Sequence, residues 1–184
     1  MIVVVQRSRL QDRPPRQARD RHHDNAMIEP EALMRLAIGK AQDGIAKGQT
    51  PFGCAIAVGD QIVSVSHNQV WLTTDITAHA EVTALREACR QTGQVHLLGA
   101  LVATTCEPCP MCMAALHWAR VDAVYYGATI ADAAAAGFNE LAVGAEEILK
   151  RGGSRVKLAS GLLREQCTAL FDEWKAAGLS KRSY

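Results

Sequence analysis

Two short stretches, His79-Ala80-Glu81 and Pro108-Cys109-Pro110-Met111-Cys112, constrain this chain more than any other part of it, because their side chains make sense only if the fold brings them together. Either half alone says little: His-x-Glu arises by chance on many helices, and Cys-x-x-Cys can be redox-active or simply buried. Together they supply one imidazole and two thiolates, a donor set suited to Zn2+, and a carboxylate that is not needed as a ligand. Three protein ligands leave a fourth position for water or substrate, which suggests catalysis, whereas a structural zinc site closes with four. The expected metal ligands are therefore His79, Cys109 and Cys112.

Charge arithmetic gives the carboxylate its task. Two thiolates cancel the formal charge of Zn2+, so bound water is acidified less than at an all-histidine site and a nearby base becomes useful. Glu81 is that candidate catalytic base. In the first turn of a helix, residues two apart point in different directions, so His79 can bind metal while Glu81 reaches over the open position. Cys109 and Cys112 are three apart and share a helix face; at a helix N-terminus the dipole also favours their thiolates. His-x-Glu followed by Pro-Cys-x-x-Cys is the known signature of zinc deaminases acting on bases, applied here as a pattern. A buried core histidine with an inert Cys-x-x-Cys is the plain alternative, and the joint match disfavours it.

With 184 residues the chain suits one domain with a full core. Its 48% hydrophobic and 21% charged residues argue against a wholly disordered protein, and a net charge of +1 gives no overall basicity to attract nucleic acid. The apolar run Met1 to Val5 is too short for a signal core or a membrane span. The six cysteines are then expected as reduced thiols in a cytoplasmic protein. Residues 1–26 form an arginine-rich stretch with Pro14-Pro15 and His22-His23, expected to be a disordered tail or to precede a true start at Met27; residues 27–184 form the zinc-dependent domain.

Pro30 opens an amphipathic helix that ends near Gly48. Cys54 to Val58 and Ile62 to Val65 read as strands joined by a Gly59-Asp60 turn. A polar loop from His67 to Thr77 leads into the His79 helix, with Thr77 a candidate N-cap and Gly93 a stop. Ala100 to Thr104 and Val121 to Tyr126 are strands on either side of the cysteine-bearing helix. Residues 131–136 and 140–150 favour helix, Val156 to Ala159 is a last strand, and Leu162 to Ala176 a last helix. A helix between the last two strands makes them parallel. The fold class that follows is α/β: a three-layer α/β/α sandwich on a mixed five-stranded sheet.

Beyond the metal motif, Pro51-Phe52-Gly53, His67-Asn68, Thr77 through Ala84, Cys106 through Cys112, Trp118-Ala119-Arg120 and Asp132 through Phe138 resemble the cytidine deaminase superfamily and, more narrowly, the bacterial guanine deaminases, in sequence and in order. The tRNA adenosine deaminases share the metal motif but differ at the Phe52 and Gly137-Phe138 positions. The resemblance implies that Asn68 and Phe52 hold a purine, that Trp118 helps line the pocket, and that Glu140, where the family pattern has Asp, contacts the base. It also implies a homodimer in which Tyr184, on a swapped C-terminal segment, reaches the other subunit's site. Physically, Phe52 or Trp118 offers an aromatic face, Asn68 both donor and acceptor, and Glu140 an acceptor for the ring N–H and exocyclic amine of guanine. Packing, turn formation and a solvated helix start are their plain alternatives. Trp71 is a weaker pocket candidate, and Cys106 is read as core, since a fourth thiolate would close the site.

The expected reaction is deamination of guanine to xanthine and ammonia, in purine metabolism. Deamination of tRNA adenosine, of guanosine or of another amino-substituted ring are alternatives, and a non-catalytic zinc module is a third class that Glu81 argues against.

Overall fold

The computed structural model describes residues 28–184. The expectation for residues 1–26 lies outside them. Pro30 at the first turn starts α1 (Pro30–Ala46), whose Leu33, Met34, Ala37, Ile38, Ala41 and Ile45 recur at helical spacing and are all buried. The chain then enters β1 (Gly53–Val58) and returns as β2 (Gln61–His67), with Val58 opposite Gln61 across the two-residue turn Gly59-Asp60. Gly59 has φ +62°, a backbone conformation such turns require at their central positions. A single-turn helix α2 (Val70–Thr73) interrupts what the sequence presents as a plain polar loop.

Next come α3 (Ala80–Thr92), β3 (Ala100–Cys106), α4 (Pro110–Trp118), β4 (Ala123–Ala128), α5 (Ile130–Ala136), α6 (Ala145–Gly152), β5 (Lys157–Ala159) and α7 (Arg164–Ala176), then a 3-10 turn at Ser180–Arg182. The sheet order is β2-β1-β3-β4-β5. β1 pairs antiparallel with both β2 and β3, while β3–β4 and β4–β5 are parallel, so the last two strands run as expected. No helix among the described residues is long and apolar enough to cross a membrane.

Alternation along the strands divides the core in two. Ala55, Ala57 and Ala103 face a cluster with α1 and α7, including Leu33, Phe138, Leu170, Phe171 and Trp174. Cys54, Ile56 and Val102 face the opposite way, onto Ala84, Ala88, Met113, Leu116 and Leu149 of α3, α4 and α6. The result is the three-layer α/β/α sandwich. Small residues let the layers close: a Cβ at Gly53 would run into the backbone carbonyl of Ala37 in α1. Gly53→Ala is therefore expected to lower stability by about 3 kcal/mol or more, at the upper end for overpacking, measured as a shift in the urea midpoint.

Two local readings need correction. Thr77 does not cap α3: its backbone N–H and hydroxyl both donate to Asp75 Oδ1, closing a turn, and the N-cap position falls to His79. Residues 140–144 are not helical, because Phe138 is drawn into the aromatic core and the chain must travel from there before α6 can begin at Ala145. Propensity loses to packing.

Candidate active site

The site forms where the N-termini of α3 and α4 meet beside the C-terminal end of β3. His79 occupies the N-cap of α3 and Cys109 the N-cap of α4, with Cys112 one turn further along. His79 Nδ1 lies 3.7 Å from Cys109 Sγ and 3.5 Å from Cys112 Sγ. Metal–ligand bonds of about 2.1 and 2.3 Å at a tetrahedral angle place nitrogen and sulfur about 3.6 Å apart, so the three atoms fit Zn2+. They form a metal-ligating cluster whose donor atoms all lie within 4.8 Å of one another. Cys112 donates to Cys109, and that hydrogen bond above all, helped by His79, lowers the Cys109 thiol to about 4 while holding Cys112 well above its usual value. One thiolate is thus already favoured, as a metal site needs.

Glu81 is 6% exposed at the start of α3 and accepts a hydrogen bond on Oε1 from the Thr104 hydroxyl at 3.0 Å. Burial, followed by the nearby Cys109, raises its pKa, with His79 and Thr104 acting in the opposite direction. A carboxyl shifted towards neutrality is suited to exchanging a proton near neutral pH.

Around these groups the pocket brings together Phe52, Asn68, Glu140 and Tyr184, with Cys106 and Glu107 completing the wall. Phe52, at the entry to β1, packs edge-on against Phe138 at 4.8 Å between ring centres. Asn68 is wholly buried just after β2; its Oδ1 accepts from the Val70 N–H at 3.1 Å, and its Nδ2 points to the Tyr184 hydroxyl. Turn formation and pocket lining are therefore the same residue's two halves. Glu140 is half-buried, and burial is the main cause of its raised pKa. Cys106 is buried and donates to the Thr129 carbonyl, at 3.5 Å, so it stays outside the ligand set.

Tyr184 sits in the pocket of its own chain, its ring 5.5 Å from that of His79, and burial pushes its pKa up. With this ring in place the free volume is about 20 Å³, room for about one water. Trp118 is not brought to the pocket. Six residues beyond Cys112 along α4, it stands roughly 9 Å further from the ligand-bearing end, 75% exposed in an apolar groove with Val82, Leu85 and Ala115. Trp71 is also displaced: its Nε1 donates to the Arg182 carbonyl at 2.7 Å, and its ring meets the Arg182 guanidinium at 5.8 Å. The sequence reading passed over Thr104 and Glu107; nothing in a strand Thr or in one acid beside a proline distinguishes them before the fold is known.

Two helix N-termini at the edge of a mixed sheet thus converge on a His-Cys-Cys cluster with a buried glutamate beside it, an arrangement suited to metal-assisted hydrolysis. The model of the cytidine and deoxycytidylate deaminase zinc-binding region matches residues 27–128, and the chain belongs to that family. Guanine deaminase from Bacillus subtilis is 43% identical over 111 residues, covering 60% of this chain and 71% of the relative. The tRNA-specific adenosine deaminase of the same organism is 34% identical over 143 residues, covering 77% and 85%. The solved structure of guanine deaminase from Nitrosomonas europaea superposes with a TM-score of 0.74 at 28% identity, covering 80% of this chain and 85% of that one.

Proposed function

We propose that this protein hydrolyses guanine to xanthine and ammonia, with Glu81 as the catalytic acid and base. The observation that carries the reading is the convergence of Asn68 and Glu140 on one small pocket with Glu81 and the ligand cluster. A carboxylate there accepts from the ring N–H and amine of guanine, and the Asn68 amide donates to an acceptor on the base; adenine lacks the matching donors on that edge. Phe52 supplies the apolar wall against which a flat base packs.

His79, Cys109 and Cys112 would hold Zn2+, which when bound would supply Lewis acidity to the water that reacts. Thr104 holds Oε1 of Glu81, so Oε2 is the oxygen that takes the proton from that water. As the water oxygen bonds to the amine-bearing ring carbon, Glu81 returns the proton to the adjacent ring nitrogen. The second water proton passes through the same carboxyl to the amine, which leaves as ammonia, and the carbon–nitrogen bond breaks. The Tyr184 ring has to swing aside before a purine can enter, and on its return it excludes bulk water.

The homodimer belongs to this proposal too, supported by the exposed apolar side chains of Val95, Leu98 and Trp118. So does a cytoplasmic location, a compartment that keeps thiols such as those of Cys109 and Cys112 reduced and able to hold zinc.

The test is a zinc-replete deamination assay on guanine, guanosine, adenine, cytosine and a tRNA anticodon stem-loop, with Glu81→Ala as blank. Conversion of guanine alone is the expected result; reaction of the RNA alone would instead assign the adenosine reading that the tRNA deaminase relatives support. Glu140→Gln is expected to raise KM for guanine by about 10- to 100-fold, the cost of one charge-assisted pair, while zinc content stays at wild-type level.

A further inference from the structure

Glu107 lies two residues before the ligand Cys109 and lines the pocket, yet both of its carboxylate oxygens are committed to backbone donors. Oε1 accepts from the N–H of Ala145 at 2.9 Å, and Oε2 from the N–H of Ile130 at 3.2 Å. These are the first residues of α6 and α5, where N–H groups have no partner within their own helix and the helix dipole favours an anion. Neither N-cap residue serves those two donors: Gly144 has no side chain, and the Thr129 hydroxyl is engaged with Asp132. The absence of a side chain at Gly144 matters for space as well, since a Cβ there would stand 3.1 Å from Glu107 Oε1.

The segment between the two helices is 137–144, and it carries Glu140. Its first half is fixed independently: Phe138 is buried in the aromatic core, and the Asn139 N–H donates to the Tyr184 carbonyl. Its far end is fixed at Gly144-Ala145, where Glu107 takes the first helical N–H.

We propose that Glu107 is a positioning residue for recognition of the base: by holding the starts of α5 and α6 on one carboxylate, it ties the turn from β3 into the cysteine-bearing helix α4 to the loop that presents Glu140. This rests on the reading of Glu140 given above. Because its oxygens are occupied, Glu107 is not itself a proton carrier. Its removal loosens the Glu140 loop and leaves Glu81 and the ligand cluster in place.

The test combines amide hydrogen exchange with a double-mutant cycle. In zinc-loaded Glu107→Ala, the amides of residues 139–145 are expected to exchange at least 10-fold faster than in the wild type, with zinc content unchanged. Glu107→Gln keeps one carbonyl acceptor and should be intermediate; it carries the same comparison if the alanine variant does not fold. In kinetics, Glu107→Ala is expected to raise KM for guanine about 10-fold with kcat within about threefold, and to add less than twofold in a Glu140→Gln background. Unchanged exchange in 139–145, loss of zinc, or full additivity with Glu140→Gln would overturn the proposal. If the wild-type protein does not turn over guanine, the functional reading falls, and the exchange measurement alone decides whether Glu107 holds the loop.

Discussion

Glu81→Gln is expected to keep its zinc and lose turnover by about 10³- to 10⁴-fold, at the upper end for one acid–base group. The substitution is nearly isosteric, and the amide oxygen can still accept from Thr104, so the buried position stays filled and hydrogen-bonded. What disappears is a group able to give and take protons. The loss should be large because in the proposed mechanism one carboxyl serves twice, first removing the water's proton and then delivering protons to the ring and the amine. Steady-state ammonia release, read beside metal content, separates this from a folding defect. Activity near the wild-type level in a zinc-loaded Glu81→Gln protein would refute the mechanism.

Cys112→Ala should lose both metal and activity. Cys112 is completely buried at the start of α4 and supplies one of three ligands, so no neighbouring group replaces it. Cys106 is aimed at the Thr129 carbonyl and burial keeps its thiol protonated. Metal bound at 100 times its dissociation constant contributes about 2.7 kcal/mol to stability, so the variant's Tm should fall by roughly 5–10 °C relative to the zinc-loaded wild type. A chelator added to the wild type should reproduce that shift, and zinc should restore it. A Cys112→Ala protein that retained stoichiometric zinc would remove Cys112 from the ligand set.

The metal cluster was legible in the sequence because its chemistry is encoded by spacing: His-x-Glu and Cys-x-x-Cys each fix their geometry within one helical turn. The sheet was legible because apolar runs and the Gly59-Asp60 turn follow local rules, and parallel pairing of β4 with β5 follows from a helix lying between them. The place of Trp118, outside the pocket of its own chain, is not legible because a motif position says nothing of how far along a helix a side chain lies from the end that carries the ligands. The helix start at 140 was misjudged because Phe138 is claimed by partners in α7, more than 30 residues away, that no local window contains. The resemblance implies that Tyr184 can reach a partner's site; within the single chain it lies in its own pocket, with its hydroxyl against Asn68. Glu107 stayed hidden because both of its partners lie in elements that only the fold brings to β3.

The aromatic wall of the pocket depends on a later part of the chain than the metal cluster does. Phe52 packs on Phe138, and both pack in turn on Phe171, with Trp174 beside Phe138. The three residues of the metal cluster all precede residue 113, but the surface that supports the Phe52 wall arrives only with the last helix. A chain shortened before α7 is thus expected to keep all three residues of the metal cluster while losing the aromatic support of Phe52.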